Sequence, residues 1–257
     1  MKLKLFWIGF YTLLMHEVNR FFRIWRETLI PPLITMALYY IIFGQLIGSQ
    51  IGAIKQYSYM QYISPGLIMM PVVTGSFINT VMSIYLLRFQ KAIEEIIVSP
   101  LPNGLILLAF VLGGVIRGFA VGGLVMLLSL FFTKITIHHT GLMVLTVLLT
   151  SVLFSLAGFI NGLLARSFDD TSIVPTFILT PLTYFGGVFY SVTMLSPIWQ
   201  KLSLLNPILY LVNAFRYSLL GITDMPISHA LWIIFILILM LTSICIYLLN
   251  KGVGIRQ

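Results

Sequence analysis

Long apolar runs separated by short charged islands set the pattern of this chain. Six runs reach the ~20 mostly apolar residues that carry a helix across a bilayer core. They cover about residues 29–48, 59–87, 104–133, 141–165, 173–190 and 230–250. The pattern predicts an all-α integral membrane protein with six transmembrane helices, built as a single domain over residues 1–257. An even number of spans places both termini on one side.

Three segments depart from the run-and-island pattern. The chain opens MKLKLFWIGF, which has the charge and apolar stretch of a leader. It continues into HEVNRFFRIWRE with no small-residue cleavage site. Within segment 1–28, residues 4–27 read as an amphipathic helix in the headgroup plane. Leu14, Val18, Phe21, Phe22 and Trp25 share one face; His16, Asn19, Arg20, Arg23, Arg26 and Glu27 fall largely on the other. A signal anchor is the alternative.

Residues 88–103, RFQKAIEEIIVSPLPN, hold Arg88, Lys91, Glu94 and Glu95 in a chain that is 9% charged. Such a segment must face water. Phe89, Ile93, Ile96 and Ile97 recur at helical spacing. This predicts a short amphipathic surface helix with a docking face.

Residues 188–228 are apolar enough for a membrane but are interrupted by Pro197 and Pro207. Neither half is long enough to span and return. The segment reads as a broken helical hairpin re-entering the outer leaflet, where irregular backbone must be buried in protein or line a wet cavity. The alternative is a seventh span, which would move the C-terminus outside.

Composition agrees with the pattern: 59% of the 257 residues are hydrophobic, and the mean hydropathy is +1.04. The formal charge of +8 does not point to nucleic acid, because the basic residues sit at membrane edges. With the termini inside, the inner segments hold Lys2, Lys4, Arg20, Arg23, Arg26, Arg88, Lys91, Arg166, Lys251 and Arg256. The outer ones hold only Lys55, Lys134, Lys201 and Arg216. The positive-inside rule therefore puts the termini and the 88–103 loop in the cytoplasm. Cys245 is the single cysteine; it lies in an apolar run and reads as a packed thiol.

Individual residues add candidate chemistry. Gly114, Gly118 and Gly122 form a small-residue ridge on the third span, suited to close helix packing or to a dimer or pathway contact. Gly158 and Gly162 repeat it on the fourth. Arg117 sits among the first set. It reads either as a polar element of a translocation pathway, gripping an anionic headgroup, or as a snorkelling residue on a helix that starts late. Asn79 and Asn161 are isolated amides within spans, suited to interhelical hydrogen bonds; Asn161 is also a pathway candidate.

Asp169 and Asp170 follow Arg166 between the fourth and fifth spans. A Mg²⁺-dependent lipid transferase would need further carboxylates, and the other acidic residues (Glu17, Glu27, Glu94, Glu95 and Asp224) make no second pair within a span. They read as lying at span ends or in loops, which also disfavours an ion- or proton-coupled transporter. Adjacent His138 and His139 lack partners for a metal site. Tyr184, Tyr190, Trp199, Tyr210 and Tyr217 suit an aromatic belt or an outer gate.

Three stretches together resemble the permease subunit of type-2 ABC (ABC-2 type) exporters of the bacterial inner membrane. They are PGLIMMPVV from Pro65, FQKAIEEIIVSPLP from Phe89, and LTPLTYFGGVFYSVTMLSPIWQKLSLLNPILYLVNAFRY from Leu179. With the order of spans, the resemblance covers nearly the whole chain. It implies a homodimeric permease in which each copy holds one cytosolic ATPase subunit. Residues 89–100 would be the coupling helix, with Phe89, Lys91, Glu94, Glu95 and Pro100 as ATPase contacts and the N-terminal helix as a second contact. It implies an amphiphilic substrate such as a lipid, glycolipid, polysaccharide or drug. No GxxxxGK[ST] stretch occurs in the chain, so the resemblance places ATP and Mg²⁺ in the partner ATPase and no cofactor here.

Overall fold

The computed structural model describes residues 2–51, 53–54 and 56–254. Lys55 and Arg256, counted above for orientation, lie outside the described residues. Helix α1 (Lys2–Arg23) ends in one turn at Ile24. Helix α2 (Trp25–Tyr39) continues through a wider π-helical stretch, Tyr40–Ile47, into α3 (Gly48–Ile51). A two-residue ladder pairs β1 (Ala53–Ile54) antiparallel with β2 (Tyr57–Ser58).

Helix α4 (Tyr59–Phe89) is the axis of the bundle. Its start is fixed by a capping box: Ser58 Oγ accepts from Gln61 N, and the Gln61 side chain accepts from Ser58 N. Its 31 residues span about 46 Å, against ~30 Å of hydrocarbon. Next come α5 (Ala92–Val98), α6 (Asn103–Ser129) and α7 (Thr140–Leu164). Helices α4, α6 and α7 pack on one another as the core, with Leu67, Phe77, Val81, Phe110, Val121 and Phe159 buried.

Among the described residues, five helices are long and apolar enough to cross a membrane: Trp25–Gly44, Tyr59–Phe89, Asn103–Ser129, Thr140–Leu164 and Ile227–Lys251. The fifth predicted run, 173–190, forms a shorter helix in three pieces. These are α8 (Asp170–Ile173), a π-helical stretch at Val174–Leu179 and α9 (Thr180–Phe185). It stops before Gly186 and Gly187, the latter at φ +68°, a conformation that favours glycine. The third run also ends early, at Ser129 rather than 133.

Pro197 and Pro207 interrupt the next segment because each begins a new helix. A short 3₁₀ turn at Val192–Met194 leads to α10 (Pro197–Ser203) and α11 (Pro207–Leu220). Asn206 caps α11 by accepting from Ile208 N at 3.0 Å. Helix α11 has 14 residues, too few to cross a bilayer, and is buried against α4, α7 and α12 (Ile227–Lys251). Its Arg216, read above as an outer edge charge, is instead fully buried. The guanidinium lies 4.2 Å from the Tyr62 ring centroid and donates to Gly187 O at 2.6 Å. Arg216 thereby ties the broken segment to α4. Nearby, Asp224 accepts from Ser191 Oγ at 2.8 Å and from Tyr62 Oη at 3.4 Å.

Candidate functional site

The loop from α4 to α6 carries the short helix α5 between two breaks. Lys91 adopts a left-handed conformation, φ +59°, which ends α4 and starts α5. Pro100 and Pro102 then stop α5 and lead into α6. Ile93 is buried against the bundle, while Lys91, Glu94, Glu95 and Pro100 are exposed. Phe89 does not share the apolar face of α5, as its spacing suggested. It is the last residue of α4, largely exposed, and stacks on Tyr85 at 6.2 Å.

Helix α5 stands between two recesses. One, of about 270 Å³, is lined by Arg88, Lys91, Glu94 and Arg166 with Tyr85 and Phe89. The other, of about 430 Å³, is lined largely by apolar groups from α1, the end of α4, α5 and the segment after it, including Leu13, Leu87, Ile96 and Leu101, together with Glu95. Adjacent Glu94 and Glu95 therefore serve different recesses. The floor is held rigid: Arg88 Nη1 donates to the carbonyls of Gly162 (3.0 Å) and Ala165 (2.6 Å) at the end of α7. Asn103 Nδ2 bonds Asn250 Oδ1 at 2.7 Å, joining the start of α6 to the end of α12.

The Arg166–Asp170 loop borders the polar recess. Asp170 does not pair with the Arg166 guanidinium. Its carboxylate accepts the backbone N–H groups of Arg166 (2.9 Å) and Ser167 (3.1 Å). Those bonds to the charged form, from Arg166 first, hold its pKa below the usual carboxylate value. Asn161 donates to Thr171 O at 3.4 Å, fastening the end of α7 to α8.

Deeper in the bundle lies a polar seam that the sequence did not reveal. Helix α1 packs on α6 through Phe10, Leu13, Glu17 and Phe21. Phe22 and Trp25, read as part of that face, are exposed instead. Glu17 is fully buried, contrary to the reading that every carboxylate lies at a span end or in a loop. It bonds Arg20 Nη2 at 2.9 Å and Ser83 Oγ at 2.6 Å. Arg20, assigned to the water face, turns inward and also donates to Asn79 O at 3.0 Å. The missed signal is the i,i+3 spacing of opposite charges, which lets a pair bury together.

Arg117 is 9% exposed and lies midway along α6, which starts at Asn103; the late-start reading does not hold. The glycine ridge beside it packs within this one chain. A Cβ on Gly114 would strike Ser155 and Thr80, and one on Gly118 would strike Ser151 and Ser76. One on Gly122 would come 2.7 Å from Val72. On α7, Gly158 faces the backbone carbonyl of Phe77, and Gly162 that of Val81 at 2.9 Å. Close helix approach is therefore built on both sides of α4.

On the opposite side, His138 and His139 donate their backbone N–H groups to Ser218 O. Their rings pack on Tyr217. Tyr184 bonds Tyr39 at 2.9 Å, and Tyr210 bonds Leu204 O at 2.6 Å. These contacts tie neighbouring elements together at this end of the bundle.

Comparison with known proteins agrees with this arrangement. The ABC-2 type transporter family model matches residues 9–220. The chain is 50% identical to the inner membrane transport permease YadH of Escherichia coli K12 over 253 residues, covering 98% of this chain and 99% of that protein. It is 20% identical over 208 residues to nodulation protein J of Neorhizobium galegae, covering 79% of each. The chain belongs to the ABC-2 type transporter family.

Proposed function

We propose that this chain is the membrane subunit of an ABC exporter of the inner membrane, acting as a homodimer with two copies of a separate ATPase. The substrate is an amphiphile: a lipid, glycolipid, polysaccharide or drug. Both termini and α5 face the cytoplasm. The helix formed by the fifth run, over residues 173–185, completes the six spans, and α10 and α11 re-enter from the outer side. ATP and Mg²⁺ act in the partner.

The observation that carries this reading is α5 itself. It is a short helix with Ile93 rooted in the core and charged residues presented between two recesses. A protruding element held that firmly suits a lever. Closure of an ATPase pair would push it, and the α4–α6–α7 core would rock with it.

The dimer reading has its own support. The apolar window of Tyr59–Phe89 is 83% buried, but that of Trp25–Gly44 is only 17% and that of Ile227–Lys251 only 11%. Between α2 and α9 runs a largely apolar groove of about 320 Å³, in which Pro31, Pro32, Met36, Met70 and Pro71 alternate with the hydroxyl-bearing Thr35, Tyr39, Thr74, Thr180, Thr183 and Tyr184. Hydroxyl groups on a lipid-level surface suit a second copy and a path for a polar head better than they suit lipid tails. Both helices bordering the groove carry π-helical stretches, which often mark functional positions.

The second reading is an ion- or proton-coupled transporter, and buried Glu17 is the observation that favours it. Its bonds to Arg20 and Ser83 suit a fixed structural pair better than a carrier. The deciding experiment is purification of the tagged chain from native membranes in mild detergent, with mass spectrometry of what stays bound. A stoichiometric partner bearing a GxxxxGK[ST] motif is expected. A permease without an ATPase that responds to a proton gradient would replace the exporter reading with the second one.

A further inference from the structure

Where α1, α4 and α6 meet, hydrogen-bond donors outnumber acceptors. The Glu17 carboxylate is already used, by Ser83 on one oxygen and Arg20 on the other. Three donors remain buried without a hydrogen-bond partner among the described residues: Arg20 Nε, Arg117 Nε and the Asn79 amide Nδ2. The Asn79 side-chain oxygen accepts from Arg20 at 3.3 Å, which leaves its NH₂ to point elsewhere. A Cβ on Gly75 would be in ordinary contact with Arg117 Nε, at 3.9 Å, and one on Gly113 would lie 3.0 Å from Glu17 Cβ. Gly75 is one turn from Asn79 on α4 and Gly113 one turn from Arg117 on α6, so Arg117 lies beside the Glu17–Arg20–Asn79 group.

Charge and hydrogen-bonding chemistry point the same way. Two guanidiniums and one carboxylate leave one net positive charge inside a helical bundle, which is costly unless it is paired. A water or a hydroxyl would satisfy a donor and leave the charge. A species with several acceptor oxygens and a negative charge satisfies both, and the planar guanidinium fork matches phosphate in particular.

The depth is compatible with a headgroup. Asn79 lies ten residues from the α5 end of α4, about 15 Å along the axis. That nearly equals the ~16 Å by which α4 exceeds the hydrocarbon thickness. With the overhang on the α5 side, the cluster sits at the edge of the apolar core. Arg20, whose side chain is 19% exposed, provides the approach beside α1.

We propose that Arg20, Arg117 and the Asn79 amide form a binding site for a phosphate-class anion, between the N-terminal helix and the bundle. The site is separate from the α5 recesses and from the α2–α9 groove, and does not depend on the transport reading.

The test uses the whole purified chain with three probes: phosphatidylglycerol nanodiscs, phosphatidylcholine nanodiscs and inorganic phosphate in detergent. Variants are Arg117→Gln, Arg117→Lys and, as a charge-matched control on exposed Arg23, Arg23→Gln. Native mass spectrometry counts retained phosphatidylglycerol, and thermal melting reads protection. Wild type and Arg23→Gln are expected to be protected by phosphatidylglycerol over phosphatidylcholine. Binding should be about tenfold weaker in Arg117→Gln, the loss of one charge-assisted contact, with Arg117→Lys between them. Protection by phosphate alone, lost in Arg117→Gln, identifies a free anion as the source; protection by the lipid alone identifies a headgroup. Equal loss in Arg23→Gln and Arg117→Gln overturns the site in favour of general surface attraction. If Arg117→Gln does not fold, the comparison passes to wild type and Arg117→Lys. No preference for either phosphate probe in wild type, or no difference between the two proteins, overturns it as well.

Discussion

Ser83 Oγ donates a 2.6 Å hydrogen bond to Glu17 Oε1, joining α1 to α4 across 66 residues of chain. The other carboxylate oxygen holds Arg20 at 2.9 Å. A neutral amide at Glu17 keeps the shape and leaves Arg20 without its counter-charge. Breaking a buried pair from one side costs about 3–5 kcal/mol, and partly exposed Arg20 puts this case near the lower end. Ser83→Ala removes one bond to a charged acceptor, roughly 1.5–3 kcal/mol. Thermal melting in detergent should rank wild type above Ser83→Ala and Ser83→Ala above Glu17→Gln. A Glu17→Gln protein that melts with wild type would show that the pair does not hold α1 in place.

That pair also shows where sequence reading stops. The long helices α4, α6, α7 and α12 were legible because about 25 apolar residues in a row admit little else. Pro197 and Pro207 were legible as interruptions for a local reason, since proline does not continue a helix; that each begins a new one is seen only in the fold. A helical wheel, however, sorts α1 by polarity, and so put Arg20 on the water face, opposite Phe21 and Phe22. Burial of Arg20 depends on Glu17 one turn away and on Asn79 and Ser83 far along the chain. Arg216 was misplaced in the same way, since Tyr62 and Gly187, its partners, come from other elements. The fifth run was overextended because hydropathy counts the apolar residues 186–190 but does not see the backbone turn at Gly187.

The glycine contacts rank four substitutions at three positions. At Gly158 an added methyl meets the Phe77 backbone carbonyl, which cannot rotate away. Gly158→Ala should cost about 1–3 kcal/mol by forcing α7 off α4. At Gly118 the obstacles are the Ser151 and Ser76 hydroxyls, which can turn, so Gly118→Ala should cost less and Gly118→Leu more. At Gly123 nothing lies within 4 Å. Gly123→Ala should gain up to about 1 kcal/mol from helix propensity. Melting midpoints of the four proteins test the order; an intolerant Gly123 would instead reveal a contact outside this single chain.

Asp170 gives a pH signature. Its pKa is lowered in the fold by the Arg166 and Ser167 N–H groups, so the folded state binds its proton less readily than the unfolded one. The contribution is present above the unfolded value of about 3.9 and is lost as pH falls through the lower folded value. Asp170→Asn should lower the melting midpoint by a constant amount from pH 7 to 5. That gap should begin to narrow below about pH 4 and close as pH falls through the lower folded value, where the folded wild-type carboxylate takes up its proton. A gap that does not change with pH would mean that charge is not what the loop uses.

Orientation can be read with single cysteines, because native Cys245 is buried and donates to Leu156 O at 3.6 Å. Glu94→Cys on α5 and Ile137→Cys in the α6–α7 loop are both at exposed positions. In intact cells an impermeant maleimide should label Ile137→Cys and spare Glu94→Cys until the membrane is opened. The reverse pattern would place α5 outside, where no cytosolic ATPase could reach it.

The last prediction concerns the two glutamates of α5. Glu94 borders the recess that also holds Arg88, Lys91 and Arg166, and Glu95 borders the apolar recess under α1. Both are exposed, so Glu94→Lys with Glu95→Lys should leave the melting midpoint within about 0.5 kcal/mol of wild type, as for an ordinary surface change. The same double change reverses the charge presented to a docked ATPase, and mismatched charges at an interface cost several kcal/mol. ATPase retention during purification and transport in vesicles should therefore fall at least tenfold while the permease stays folded. The single variants separate the recesses: loss in Glu94→Lys alone assigns docking to the polar one, and loss in Glu95→Lys alone to the apolar one. Full retention and full transport in the double variant would remove α5 from the coupling path and leave the N-terminal helix to carry it.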